Sequence, residues 1–162
     1  MNEPDMSRDS KTLSKFKPAN EDFEFRQFPF YWVMRLSNRY THKMEVALKK
    51  VNMNITVWRV GMILREHGDL SITEITTHAV SRLPTITKTV YKMQERGLVE
   101  INPHKEDGRV SIVNITQEGI NTIESVIANT TRVFDTAFED IPAEQLHQLN
   151  ETLQKIFLNM DH

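Results

Sequence analysis

No cysteine occurs among the 162 residues, which excludes disulfides and every form of thiol chemistry. The five glycines, at 61, 68, 97, 108 and 119, compose no P-loop, dinucleotide fingerprint or G-x-S-x-G elbow, so an enzyme is the weakest of the function classes. No apolar run approaches the roughly 18 residues that cross a bilayer, and the first 22 residues lack the apolar core of a secretory signal. A cytoplasmic protein without a membrane partner is expected. The six histidines, at 42, 67, 78, 104, 147 and 162, show no ligand pairing, and neither a metal nor a cofactor is expected. Positive charge is also scarce. The net charge of −2 excludes a generally basic nucleic-acid binder and shifts attention to how the charges are distributed.

The distribution is uneven. Residues 82–109 hold six Lys/Arg against four Asp/Glu, whereas 110–162 hold two against eight. Hydrophobic residues make up 39% and charged residues 26%, an ordinary globular balance that one domain, or two tightly joined lobes, can accommodate. Residues 1–22 are polar and charged without apolar periodicity and read as a flexible arm, leaving 23–162 as a single domain.

From Phe25 to Val51, apolar residues at Val33, Leu36, Tyr40, Met44, Ala47 and Val51 recur at helical spacing and predict one long helix. Its other side carries Trp32, Arg35, Arg39, His42 and Val46, either a solvated face or a site for a partner chain or a small organic anion. Trp32, Arg35, Arg39 and His42, with Trp58 from the next helix, form the candidate ligand set. That next helix, capped by Asn54 or Thr56, carries Val57, Trp58, Val60, Gly61, Met62, Ile63 and Leu64 and is broken by His67-Gly68-Asp69. Ser71-Ile72-Thr73-Glu74 then has the S-x-x-E form of a capping box, starting a short helix at Ser71 that ends near Val80.

The following stretch, Pro84 to Gly97, organises the chain. At about 100° per residue, Ile86, Val90 and Met93 fall on one edge, and Thr85, Lys88, Tyr91, Lys92 and Glu95 on the other. Pro84 suits the first helical position and Gly97 marks the stop. Two short helices joined by a tight turn make a helix-turn-helix, and hydroxyls followed by lysines on an outer face suit a major groove. Pro84, Thr85, Thr87, Lys88, Tyr91 and Lys92 are the candidate DNA-reading residues. Leu98–Ile101 and Val110–Ile115 are β-branched runs flanking a charged tip, 102–109, and predict a hairpin that adds His104, Lys105 and Arg109. Thr116 caps a further helix with Ile120, Ile123, Ile127, Phe134 and Phe138 at helical spacing. After Asp140-Ile141-Pro142, Leu146, Leu149, Leu153, Ile156 and Met160 repeat at 3, 4, 3 and 4. Two long helices on so short a chain have little else to cover their seams, so a homodimer is expected.

The order of elements, with Ser71–Glu74, Pro84–Lys88, Glu95-Arg96-Gly97-Leu98-Val99, Asp107-Gly108-Arg109 and Ile115-Thr116-Gln117-Glu118-Gly119, resembles the MarR (multiple antibiotic resistance regulator) family of winged helix-turn-helix regulators over about 25–160. The resemblance implies a mainly α fold with a small β-hairpin wing: 54–115 as the winged helix-turn-helix, 25–51 and 116–162 as dimerisation helices. It implies a homodimer on a pseudo-palindromic operator, with the Pro84–Arg96 helix in the major groove and Arg109, braced by Asp107, in the minor groove. It implies repression relieved by an aromatic acid, a phenolic compound or a thioester conjugate. Two departures stand out. Val80 occupies a place where a turn glycine is frequent, and Glu100 and Glu106 put negative charge beside the wing. The latter keeps a second reading open, a dimeric interaction module that has lost specific DNA binding.

Overall fold

The computed structural model describes residues 13–160, so residues 1–12 of the expected arm lie outside the described residues. The chain divides into two compact units, Met1–Ile55 and Thr56–His162. Helix α1 spans Pro29–Lys49, α2 Ile55–His67, α3 Ile72–His78, α4 Leu83–Glu95, α5 Gln117–Ala137 and α6 Ala143–Met160; strands β1 (Leu70–Ser71), β2 (Val99–Pro103) and β3 (Ser111–Ile115) complete the list. A mainly helical architecture with a small sheet is thus present. No helix among the described residues is long and apolar enough to cross a membrane.

In the first unit the long helix begins at Pro29, not at Phe25. A residue before proline is pushed out of the α region, and Phe28 is accordingly extended at φ −72°, ψ 113°. The preceding chain instead makes 3-10 turns at Ser14–Phe16 and Phe25–Gln27. A Lys15–Glu24 ion pair of 2.7 Å ties these turns together, so the latter part of the expected arm has structure. Aromatic rings then run edge to face from Phe25 through Phe23 and Phe28 to Phe30. Along α1 only the C-terminal half of the predicted stripe is covered. Met44 is fully buried and Tyr40, Ala47 and Val51 partly so, while Val33 and Leu36 are exposed. Leu48, outside the predicted stripe, is fully buried.

In the second unit, Val60, Leu64, Ile75, Ile86, Val90, Met93, Val113, Ile123 and Val126 are almost wholly buried and define the core. The predicted two-stranded hairpin is a three-stranded sheet in the order β1-β3-β2, with Leu70 opposite Val113 and Val99 opposite Ile115. β1 escaped the pattern because it is two residues long and Ser71 doubles as a cap. The Ser71 hydroxyl accepts from the Glu74 N–H (3.2 Å), and the Glu74 carboxylate accepts from the Ser71 N–H (2.7 Å), the reciprocal capping box. The Ser71 hydroxyl, then the Ser71 N–H, hold the Glu74 carboxyl below its usual value.

Helices α3 and α4 end in the same way. Val80 N–H donates to Thr77 C=O and Ser81 N–H to Thr76 C=O; Gly97 N–H donates to Gln94 C=O and Leu98 N–H to Met93 C=O. Both are Schellman motifs, in which the residue just past the cap takes a left-handed conformation. Gly97 does so freely at φ +71°, but Val80 holds φ +46° despite its branched side chain. Left-handed backbone costs a non-glycine residue about 1–2 kcal/mol. Val80→Gly is therefore expected to stabilise the fold by about 1 kcal/mol, part of the relief being lost to glycine's greater unfolded-state freedom. The check is a urea midpoint that rises with unchanged slope; an unchanged or lower midpoint contradicts it.

The Thr116 to Gly119 segment joins the sheet to α5. Thr116 Oγ1 accepts from the Gly119 N–H (3.0 Å) and donates to the Gly97 carbonyl (2.7 Å), and its N–H donates to the Leu98 carbonyl (3.1 Å). A Cβ at Gly119 would strike that same Leu98 carbonyl oxygen, which is why the segment needs glycine there. On α5 the buried stripe is Gly119, Ile123, Val126 and Thr130; of the predicted residues Ile123 is buried, Ile120, Ile127 and Phe134 are partly covered, and Phe138 is exposed. The threonine is accommodated because its hydroxyl donates to the Val126 carbonyl (2.9 Å).

Candidate nucleic-acid interface and ligand groove

Two devices position the second helix of the helix-turn-helix. Its inner edge is seated by Ile86, Val90 and Met93, each fully buried or nearly so. Ahead of it, Arg59 of α2 donates from Nη1 to the Ala79 carbonyl (3.0 Å), placing a cation where the C-terminal carbonyls of α3 converge. Arg59 was not legible as a positioning residue, since nothing in its spacing reveals a partner twenty residues away.

Helix α4 starts one residue early, at Leu83, so Pro84 is its second residue and still forfeits only an N–H that needs no intrahelical partner. Pro84, Thr85, Lys88, Tyr91 and Lys92 are all exposed, on the side away from the buried edge. Thr87 differs. It is only partly exposed, and its hydroxyl donates to the Leu83 carbonyl (2.8 Å), leaving its oxygen to act toward an outside group as an acceptor alone. Leu83, absent from the predicted set, is exposed beside Pro84.

The wing is the β2–β3 connection. His104 N–H donates to the Val110 carbonyl (2.8 Å) and Val110 N–H to the Asp107 carbonyl (3.0 Å), closing the turn. Within it, Nδ1 of His104 accepts from the N–H groups of Glu106 (3.2 Å) and Asp107 (3.4 Å). His104, foreseen as a DNA contact, thus also holds the tip in shape. Asp107 Oδ1 accepts the Arg109 backbone N–H at 3.0 Å, so the bracing acts on the main chain of Arg109. Lys105, Arg109, Glu100 and Glu106 are exposed, and cations and carboxylates share this surface.

On α1 a groove of 660 Å³ is lined by Trp32, Arg35, Leu36, Asn38, Arg39, His42 and Lys43. It brings together four of the five predicted ligand residues and adds Lys43, one helical turn beyond Arg39. Trp58 does not line it and is only 5% exposed, in the second unit. Trp32 is 53% exposed, and its indole N–H donates to the Arg26 carbonyl (2.8 Å), so the ring can offer a visitor its face but no proton. The Arg35 guanidinium lies 5.2 Å from the centre of the Tyr31 ring.

The predicted seam on α6 has no buried member: Leu146 and Ile156 are partly covered, while Leu149, Leu153 and Met160 are exposed, as are Phe157 and Leu158. Exposed apolar residues also crowd the start of α1 at Trp32, Val33, Met34 and Leu36. Among the described residues no three His, Asp or Glu are arranged to hold a metal ion.

Comparison with known proteins gives a consistent answer. The family model described as MarR family matches residues 53–111. The chain is 44% identical over 151 residues to the HTH-type transcriptional repressor IacR of Pseudomonas putida, covering 93% of this chain and 90% of that one. Among solved structures it resembles a mutant MarR from E. coli complexed with operator DNA (TM-score 0.68, 17% identity, 80% of this chain and 94% of that one). It also resembles Bordetella bronchiseptica BpsR, described with the regulation of its DNA binding by 6-hydroxynicotinic acid (TM-score 0.70, 15% identity, 83% and 96%).

Proposed function

This chain belongs to the MarR family of DNA-binding transcriptional regulators and is not an enzyme; from that premise we propose that it is a homodimeric repressor whose operator is released when a small aromatic acid, a phenolic compound or a thioester conjugate binds. The observation that carries the ligand response is the groove on α1. Arg35, Arg39 and Lys43 stand one turn apart along it, and Trp32 lines it with them. A guanidinium pairs with a carboxylate or phosphate through two N–H groups, and an indole face stacks on an aromatic ring. A ring-bearing anion satisfies both. Regulation of BpsR by 6-hydroxynicotinic acid, itself a ring-bearing carboxylic acid, supports the same class.

Release requires that the anion prefer the DNA-incompetent arrangement, with a coupling of about 1–3 kcal/mol. A panel of aromatic carboxylates and their thioester conjugates should contain compounds that raise the melting temperature and free operator DNA. With Arg35→Ala or Arg39→Ala both effects should weaken about tenfold or more, the loss of one charge-assisted pair. A compound that releases DNA equally well from both variants does not use this groove. Exposed Glu100 and Glu106 favour the second reading, an interaction module without specific DNA binding. Salt-sensitive retardation of the DNA upstream of the protein's own gene separates the two, because phosphate contacts make affinity fall steeply with salt.

A further inference from the structure

The turn between α3 and α4 holds a strained residue that the fold does nothing to shelter. Val80 keeps a left-handed backbone at φ +46°, and the residue is 88% exposed. The two hydrogen bonds that close the turn hold the main chain there, but they give the branched side chain no role, and a backbone outlier of this kind is a reason to look for a function. Three residues on, Leu83 opens α4 with 49% of its surface exposed, next to exposed Pro84. Thr87, one turn further, has turned its hydroxyl proton back to the Leu83 carbonyl. At the leading end of α4 the exposed apolar residues Leu83 and Pro84 thus stand between Arg82 and Thr85, with Arg82 as the only cation between residues 79 and 87, whereas Lys88 and Lys92 lie further along.

In a major groove lined with donors and acceptors, the apolar group of a base edge is the 5-methyl of thymine. We propose that Val80 and Leu83 form an apolar edge that packs against thymine methyl groups of the operator half-site, so that this end of the helix selects thymine by shape. The inference rests on the operator-binding reading above and adds a base identity to it. It also accounts for Val80 where a glycine would relax the turn: the branched side chain supplies contact surface to the complex that glycine cannot.

The test uses the full chain and a duplex selected by it from random sequence. Each thymine of the selected site is replaced in turn by uracil, which removes the methyl and leaves base pairing intact. Binding is measured for the natural chain, Val80→Gly and Leu83→Ala. Burial of one methyl corresponds to about fourfold in affinity. At least one replacement should therefore weaken the natural chain about fourfold and weaken one of the variants less than twofold. Both side chains are exposed, so the variants should fold, and their melting temperatures report this directly. A natural chain indifferent to every replacement, or variants that both keep its full sensitivity, would overturn the proposal while leaving operator binding intact. A natural chain that selects no duplex at all removes the operator-binding reading, and this inference with it.

Discussion

Leu149→Asp is expected to abolish dimerisation and, with it, specific DNA binding. Leu149 is 47% exposed in the protomer, and α6 buries none of its 18 residues. A charge at this position can therefore be hydrated in the isolated chain without disturbing its packing. In a dimer that covers the seam of Leu146, Leu149, Leu153, Ile156 and Met160, the same carboxylate is buried without a partner, at a cost of several kcal/mol. The expected product is a folded monomer by light scattering at micromolar concentration. DNA affinity should fall by about a hundredfold or more, since two half-sites a helical turn apart are held together only by linked recognition helices. Ile156→Asp should act in the same direction but also cost the protomer stability, because Ile156 is partly covered within it. A natural chain that already scatters as a monomer, or a Leu149→Asp chain that remains a dimer with full affinity, contradicts the assignment of this seam.

The second large effect concerns Lys88 and Arg109, whose contributions should differ in kind. Lys88 is exposed on the outer edge of α4, while Arg109 closes the wing with its backbone fixed by Asp107. An arginine entering a narrow minor groove responds to its strongly negative potential and not to base identity. Arg109→Ala should weaken operator and scrambled DNA together, by about tenfold, and flatten the salt dependence by about one unit of slope. Lys88→Ala should instead weaken the operator selectively if Lys88 reads a guanine edge, by about 1–3 kcal/mol of discrimination. Asp107→Ala should reproduce part of the Arg109 loss through a slackened wing turn. Unchanged affinity in both the Lys88 and Arg109 variants would remove these residues from the interface.

The parts of the fold that could be read beforehand are those where local chemistry and periodicity coincide. Ser71 and Glu74 announce their helix because both halves of the capping box are adjacent in sequence. The inner edge of α4 was legible because Ile86, Val90 and Met93 repeat at helical spacing and are all buried. What could not be read depends on distant or weak signals. The expected start of α1 at Phe25 lies four residues too early because Pro29 dictates the start more strongly than hydrophobic spacing does. Thr130 was passed over in favour of Phe134 because a polar residue gives no hint that its hydroxyl will be satisfied by its own helix. Of the candidate ligand residues, four meet in one groove because they share one helix, whereas Trp58 lies in a core that only tertiary packing defines. Val80 was visible as a departure from a frequent glycine, but its strain and exposure appear only in three dimensions.

The junction at Thr116 has a mechanical meaning. One threonine side chain grips the Gly97 carbonyl in the turn after α4, its N–H grips the Leu98 carbonyl, and Gly119 lets the start of α5 press against that same carbonyl. The start of α5 is therefore tied directly to the turn that closes α4. A tilt imposed on α5 is expected to pass to the turn that ends α4 through these bonds. In gearing terms, the joint is a coupling between α5 and the helix expected to meet DNA, built from one threonine's hydroxyl and N–H on two main-chain carbonyls.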